Sequence, residues 1–135
     1  MNCLIDTNIL ISASLFPESV PAKAFTKATI YPNVAVVCDY SLDELRRVYN
    51  KKFPHKLHVF EHFLSLLMLS VKIISTPAED ECVPDENKIR DLNDRPILRA
   101  AVKYGVDILV TGDKDFLEAG LENPKIMTAA EFVNS

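Results

Sequence analysis

The chain has 135 residues, which suits a single domain (residues 1–135) and is too short for two separate hydrophobic cores. A hydrophobic share of 48% and a charged share of 25% are ordinary for a globular protein, and no stretch approaches the roughly 20 apolar residues of a membrane span. The net charge of −4 argues against binding nucleic acid through bulk positive charge, but it is compatible with an acidic metal site that has a basic rim.

The amino-terminal residues and the cysteines predict a cytoplasmic protein. The first six residues, MNCLID, lack the basic start of a secretory signal. Cys3, Cys38 and Cys82 are odd in number and widely spaced, so they form neither a disulfide framework nor a CxxC metal pair. Cys3 and Cys38 lie in apolar runs, where we expect reduced core residues.

Five short apolar runs, separated by helical patterns, predict the fold class. The runs are continuous rather than alternating, which is typical of strands that are covered on both faces of a parallel sheet. They are residues 2–5, 35–38, 71–74, 108–110 and, more weakly, 125–127. The alternation predicts a three-layer α/β/α sandwich around a mostly parallel sheet of about five strands, joined by right-handed crossovers.

Helix starts are predicted from capping patterns and from one apolar stripe. Ser41-x-x-Glu44 and Thr128-x-x-Glu131 have the form of capping boxes. Asp94, followed by Pro96, has the form of an N-cap. Asp113 is predicted to cap a short helix that ends at Gly120, and a further helix carries Leu57, Phe60, Leu64, Leu67, Met68 and Val71 on one face. Segment 75–93, rich in acids and prolines, is predicted to be a surface loop with at most a short helical turn.

Four acidic residues stand at the ends of these elements. Asp6 follows the first strand and Asp113 follows the fourth, while Glu44 lies early in the helix after the second strand and Asp94 opens the helix before the fourth. Ligand sites in open α/β sheets lie beyond the carboxyl ends of the strands, so these acids are placed to converge there. A cation would relieve their repulsion, and oxygen ligands select Mg²⁺ or Mn²⁺.

Such a centre suits the attack of water on a phosphodiester. Each acid also has a purely structural interpretation as a helix cap or a turn residue, because caps favour these residue types. The spacing alone leaves both interpretations open.

Four segments resemble the successive motifs of PIN domains: LIDTN (4–8), SLDEL (41–45), RDLNDRPILRAA (90–101) and VTGDKDF (110–116). They follow the family's order over nearly the whole chain, and the last two are similar to PIN toxins of type II toxin–antitoxin systems, relatives of the VapC toxins. The resemblance implies an endonuclease for single-stranded RNA that depends on Mg²⁺ or Mn²⁺ and has a cognate antitoxin as partner. It assigns catalysis and metal binding to Asp6, Glu44, Asp94 and Asp113.

The same resemblance implies roles for neighbouring residues. Asp115 matches an acidic position expected to bind the metal or a metal-bound water. Thr7, Asn8 and Thr111 are expected to orient the acids. Asp43 and Asp91 are near neighbours to which no definite role is assigned.

Basic residues flank two of the acids. They are candidates for contact with RNA phosphates, and the alternative is a solvated helix end favoured by the helix dipole. The arginines concerned are Arg46, Arg47, Arg90, Arg95 and Arg99, with Lys51, Lys52 and Lys56 beside the first two.

The helix after residue 56 has two features outside its apolar stripe. His55, His58 and His62 have a spacing compatible with Zn²⁺, but a solvated face is favoured because no partner ligand is evident. Three further apolar residues predict either a homodimer or partner interface, or a thicker local core; they are Val59, Phe63 and Leu66.

Two alternative functions fit part of this pattern. A phosphatase of the haloacid-dehalogenase type needs a second carboxylate two residues after Asp6, where this chain has Asn8. The second alternative is an RNA- or protein-binding module of PIN type with little catalytic activity. The complete set of four acids argues against this alternative.

Overall fold

The computed structural model describes all residues from Met1 to Ser135 and contains one five-stranded sheet. The strand order is β3-β2-β1-β4-β5, and every neighbouring pair is parallel. The strands are β1 (Asn2–Ile5), β2 (Val34–Cys38), β3 (Lys72–Ile74), β4 (Ile108–Val110) and β5 (Lys125–Met127). The predicted α/β sandwich with a parallel sheet is confirmed.

Seven α-helices connect and flank the strands. They are α1 (Thr7–Leu15), α2 (Val20–Ala28), α3 (Asp39–Lys52), α4 (Leu57–Ser70), α5 (Arg95–Lys103), α6 (Lys114–Leu117) and α7 (Ala129–Val133). Short 3₁₀ turns occupy Pro54–Lys56, Glu79–Glu81 and Pro84–Lys88. None of the helices has the length and apolarity that crossing a membrane requires.

The strands bury both faces of the sheet, because successive side chains point to opposite sides. Cys3 and Ile5 of β1 belong to a core shared with α1, α2, α3, α4 and α7. Leu4, between them, belongs to a second core shared with α5 and α6. The continuous apolar runs in the sequence therefore correspond to strands covered on both sides, as predicted.

Two helices, α1 and α2, were absent from the sequence prediction. Helix α1 begins only two residues after the strand ends at Ile5, and Asp6 marks the boundary by accepting a hydrogen bond from the Thr7 backbone nitrogen. In α2, Ser19 caps the helix through the Ala22 nitrogen, and Pro21 lies in the first turn. The Ser-x-Pro pattern is the local sequence signal for the start of α2.

The predicted capping box at Ser41 is wrong. Helix α3 begins two residues earlier, at Asp39, and Ser41 is buried within it with no partner for its hydroxyl. Asp39 accepts hydrogen bonds from the nitrogen of Thr76 at 2.9 Å and from its hydroxyl at 2.5 Å. A contact with the segment after β3, and not a local cap, therefore anchors the start of α3.

The other helix ends agree with prediction in part. The capping box of Thr128 and Glu131 is confirmed by reciprocal bonds of 3.1 Å. Asp113 caps α6 through the Asp115 nitrogen, but the helix ends at Leu117, and Gly120 adopts a left-handed φ of 71° in the turn beyond. Asp94 stands at the N-cap position of α5 but makes no capping hydrogen bond.

Segment 75–93 is more structured than a surface loop, so that prediction is also wrong. It forms two 3₁₀ turns and buries Ile89 completely against the second core. Its Glu86 is buried in a salt bridge of 2.7 Å with Arg99. Arg99 also donates to the Pro77 carbonyl at 3.0 Å, so one side chain of α5 fixes both parts of the segment.

Helix α4 packs most of the predicted stripe against the first core. Phe60 and Leu67 are buried and Leu64 and Val71 pack beside them, whereas Leu57 and Met68 are 39% and 54% exposed. Val59 and Phe63 also pack against this core, with the Phe63 ring 5.4 Å from that of Phe25. For these two residues the thicker local core is the correct interpretation.

Candidate metal centre

The strand order reverses between β1 and β4, and this is where the predicted acids meet. From β1 the chain builds β2 and β3 to one side, and then β4 and β5 to the other. Asp6 and Asp113 follow the carboxyl ends of these two adjacent strands, the expected place for a ligand site. Glu44 of α3 and Asp94, the N-cap residue of α5, lie at the same edge: the charge of Glu44 acts on Asp6, and the charges of Asp6 and Asp113 act on Asp94.

Asp6 is the buried centre of the cluster. Its Oδ1 accepts from the Thr7 nitrogen at 2.8 Å, and its Oδ2 accepts from the Thr111 hydroxyl at 2.7 Å. The pKa of Asp6 is raised to about 6, chiefly by burial. The charges of Glu44 and Asp113 contribute to this rise, while the two hydrogen bonds oppose it.

The residues predicted to orient the acids contact them or the adjoining turn. The Thr7 hydroxyl donates to Glu44 Oε1 at 2.6 Å, so Thr7 joins two of the acids through its backbone and its side chain. Thr111 accepts from the Asp113 nitrogen at 3.0 Å in addition to its bond to Asp6. Asn8 accepts from the Gly112 nitrogen at 3.4 Å and so contacts the turn after β4.

Asp94 has the least satisfied carboxyl group of the cluster. Its Oδ2 is buried and has no hydrogen-bond partner. Burial, followed by the adjacent Asp113 carboxyl, raises the pKa of Asp94 well above its usual range. Carboxylate oxygens of Asp94, Asp91 and Asp115 lie within 4.8 Å of one another. Asp91, to which the sequence assigned no definite role, is thus a neighbour of the centre.

Asp115 differs from the other acids because it already has a cationic partner. Arg90 Nη2 lies 3.0 Å from Asp115 Oδ1 and 3.6 Å from Glu118 Oε2. Arg90 was a candidate for RNA contact, and here it neutralises part of the charge at the edge of the cluster.

The cluster fits a divalent cation. Asp6, Glu44, Asp94 and Asp113 form no salt bridge with any lysine or arginine, so their mutual repulsion is uncompensated by the protein. All the available ligand atoms are carboxylate oxygens, which suit Mg²⁺ or Mn²⁺. Asp91, Asp94 and Asp115 are the one group with three ligand atoms within 4.8 Å of one another; it includes neither the other three predicted acids nor the histidines of the α4 region.

The structure separates the basic candidates. The prediction that Arg99 contacts RNA is wrong, because this side chain is buried and paired with Glu86. Arg95 is half-buried, and its Nε donates to the Ile89 carbonyl at 3.0 Å. Arg46 and Arg47 are exposed on α3 but stack on different rings, as Arg46 lies 5.3 Å from the centroid of Phe60.

Sequence reasoning missed Tyr40, which adjoins the centre. Burial, followed by the negative charge of Glu44, raises the pKa of the Tyr40 hydroxyl, and Asp94 contributes to the rise. The guanidinium of Arg47 lies 6.0 Å from the centroid of the Tyr40 ring. The available signal was the spacing, since Tyr40 precedes Glu44 by four residues, about one helical turn.

A family model described as the PIN domain matches residues 2–115. A sequence search of characterised proteins gave no match. The fold is similar to that of VapBC2 from Rickettsia felis, solved bound to a DNA fragment from their promoter, with a TM-score of 0.69, 20% identity and coverage of 95% of this chain and 98% of that one.

Two further solved structures have the same fold. DNA-bound VapBC from Salmonella typhimurium gives a TM-score of 0.68 at 18% identity, over 96% of this chain and 98% of that one. VapC20 from Mycobacterium tuberculosis, a sarcin-ricin loop cleaving toxin, gives a TM-score of 0.63 at 14% identity, over 89% of this chain and 96% of that one. At these identities the likeness establishes the fold, and the chemistry has to be argued from the site.

Proposed function

The chain belongs to the PIN-domain family, since the family model covers residues 2–115, and from that premise we propose that it is a metal-dependent endoribonuclease acting on single-stranded RNA in the cytoplasm. The observation that carries the proposal is the Asp94 carboxyl, whose Oδ2 is buried without a partner beside Asp113. A carboxyl in this position lowers the stability of the metal-free protein, and a cation bound among the acids offsets that cost.

The side chains that would hold Mg²⁺ or Mn²⁺ are Asp6, Glu44, Asp94 and Asp113, with Asp115 at the edge. When bound, the cation supplies Lewis acidity, which activates water and neutralises charge on the phosphodiester. The protein contributes orientation: Thr111 and the Thr7 backbone fix both oxygens of Asp6, and the Thr7 hydroxyl fixes Glu44. A metal site requires ligands whose orientation is fixed in this way by hydrogen bonds from neighbouring groups.

Proton release accompanies loading of the site. In the metal-free protein the raised pKa of Asp94 keeps its carboxyl largely protonated near neutral pH. Ligation needs the carboxylate, so metal binding displaces this proton and becomes tighter as the pH rises. The pKa of Asp6, about 6, acts in the same direction.

The test is cleavage of a labelled single-stranded RNA with Mg²⁺, Mn²⁺ or EDTA. We expect metal-dependent cleavage by the wild type, and a loss of at least about 100-fold in Asp6→Asn and in Asp94→Asn, because each variant removes a charged ligand. Asp80→Asn, an exposed acid outside the cluster, is the matched control and should keep full activity. Cleavage that persists in EDTA, or that survives both ligand variants, would refute the proposal.

We further propose that the enzyme is the toxin of a toxin–antitoxin pair. Two of the similar structures are VapBC complexes, and this chain has an apolar groove of about 480 Å³ between α1, α2 and α4. Phe25, Phe63 and Leu66 line the groove, and Leu66 is 50% exposed. Exposed apolar surface of this kind favours a protein partner, for which the antitoxin is our candidate.

Growth and binding assays test this role. Expression of the wild type should arrest growth, expression of Asp94→Asn should not, and co-expression of a candidate antitoxin should restore growth. Leu66→Asp should weaken the complex with that antitoxin, while Leu69→Asp, on the same helix but outside the groove, should not. Equal binding by both variants would exclude the groove as the docking site. A homodimer stays a prediction, to be measured by sedimentation.

A further inference from the structure

A groove next to the metal centre lies between α3 and the residue before Asp94. It has a volume of about 410 Å³, and Glu44 is one of its lining residues. Three more residues of α3 line it and, together with Glu44, follow one another at spacings of three or four residues, which places them on one helix face: Tyr40, Arg47 and Lys51. Asn93 lines it from the segment that leads into α5. The groove therefore adjoins the metal centre at Glu44 and runs along α3.

Positive charge in this groove is not neutralised by the protein. Arg47, Lys51 and Lys52 all line it, and none of them takes part in a salt bridge. By contrast, Arg90 and Arg99 are paired with acids, and Arg95 donates to the Ile89 carbonyl. In a chain of net charge −4, three unpaired cations in one groove favour a polyanionic ligand.

The groove also carries groups suited to nucleobases. Arg47 lies over the Tyr40 ring, and such a pair offers a planar surface on which a base can stack. Asn93 is exposed and donates its backbone nitrogen to Asp91, leaving its side-chain amide to offer both a donor and an acceptor to a base edge. An acidic peptide would use the cations but would not need the aromatic surface.

We propose that this groove binds the nucleotides that flank the scissile phosphate on one side, with a base on Tyr40 and Arg47 and the following phosphates on Lys51 and Lys52. The inference rests on the proposed ribonuclease function and adds a path for the strand. From Glu44 to Lys51 the helix rises about 10 Å at 1.5 Å per residue, the length of about three stacked nucleotides at 3.4 Å each.

RNA binding without cleavage is the direct test. A fluorescein-labelled 12-nucleotide single-stranded RNA of mixed sequence is titrated with Asp6→Asn protein in Mg²⁺ at several salt concentrations. Adding Lys51→Gln should weaken binding several-fold and reduce the slope of log K against log salt by about 0.7, the value for one lost phosphate contact on a single strand. Lys72→Gln, which removes an exposed and unpaired lysine on β3, is the matched control and should change neither quantity.

Stacking is tested at Tyr40 in the same background. Tyr40→Ala should weaken binding about tenfold, and Tyr40→Phe should keep wild-type affinity, because a base stacks on the ring and does not need the hydroxyl. The melting temperature of each variant shows whether the fold is intact. Equal losses for Tyr40→Ala and Tyr40→Phe, equal effects of Lys51→Gln and Lys72→Gln, or no binding of the RNA at all would overturn the inference.

Cleavage assays separate this inference from the proposed function. If the wild type cleaves the RNA and Lys51→Gln and Tyr40→Ala cleave it equally well, the groove is refuted and the ribonuclease stands. If RNA binds with the expected variant pattern but the wild type cleaves none with any metal, the groove stands and the ribonuclease function fails.

Discussion

At the scale of single residues, Asp6 and Asp94 are the carboxyls whose ionisation the fold opposes. Both are surrounded by other acids, and Asp94 Oδ2 accepts no hydrogen bond from a donor group of the protein. A folded pKa above the unfolded value means that the native state binds a proton more tightly than the unfolded chain does. These two residues therefore destabilise the metal-free protein when the pH rises.

The stability of the metal-free protein should fall as the pH rises above 5. The rise of the Asp6 pKa from 3.8 to about 6 corresponds to about 3 kcal/mol at full ionisation. Glu86, whose pKa is lowered chiefly by Arg99, acts in the opposite direction, but its contribution is complete above its unfolded value of 4.5. Urea denaturation in EDTA should show a decrease of at least about 1 kcal/mol between pH 5 and 6.5. A rise over this range would contradict the prediction.

Asp94→Asn should stabilise the metal-free protein at pH 7.5 while abolishing cleavage. Asp94 has to take up a proton on folding to fit beside Asp113, whereas the neutral amide does not, so we expect a gain of about 1 kcal/mol after allowance for partial solvent screening. Thermal melting in EDTA measures the gain, with Asp80→Asn as the control that should leave the melting temperature unchanged. A variant that melts below the wild type under these conditions would show that Asp94 has a structural role instead.

At the scale of elements, segment 75–93 depends on one side chain of α5. Arg99 makes two hydrogen bonds to the buried Glu86 and a third to the Pro77 carbonyl. The segment in turn supplies the buried Ile89, contains Asp91 and leads into Asp94. The Arg99 contact thus supports the backbone that carries one side of the metal centre.

Arg99→Ala should destabilise the protein by about 3 kcal/mol, since it leaves Glu86 as an uncompensated buried charge. The double variant Arg99→Ala with Glu86→Ala should recover part of this loss, because the orphaned carboxylate is gone. Urea denaturation of the wild type, both single variants and the double variant gives the coupling energy. Additive losses in this cycle would mean that the two side chains stabilise the fold independently.

At the scale of the whole molecule, the sheet topology joins residues from four parts of the chain into one site. The order β3-β2-β1-β4-β5 sets the end of β1 beside the end of β4, and the helices after β2 and before β4 complete the cluster. A cation held by these acids links elements from the first strand to α6. Its binding energy should therefore add to the stability of the entire domain.

Mn²⁺ should stabilise the wild type against unfolding at neutral pH. At a concentration of about 100 times the dissociation constant the gain is about 2.7 kcal/mol, provided that the metal does not bind the unfolded chain. Thermal melting with Mn²⁺, with Mg²⁺ and with EDTA measures it. Asp113→Asn should lose most of the shift and Asp80→Asn should keep it. An identical shift in both variants would place the metal elsewhere.

Much of the fold and the site could be predicted from local patterns. The strand runs, the parallel sheet and the acids at the element ends depend on residues close together in the chain, because side-chain burial repeats with the strand or helix period. The burial of Cys3 and Cys38 followed from the same runs. The order of the four motifs along the chain also indicated the resemblance to the PIN domain, and the family match confirms it.

Tertiary structure decided the features that join distant residues. The start of α3 depends on Asp39 and Thr76, which are 37 positions apart, and the burial of Arg99 depends on Glu86, 13 positions before it. The groove beside the metal centre needs Tyr40 and Asn93 on opposite sides. The sequence around an exposed arginine and around a buried, salt-bridged arginine looks the same. The two differ in whether an acidic residue lies beside them, and only the folded chain brings that residue near.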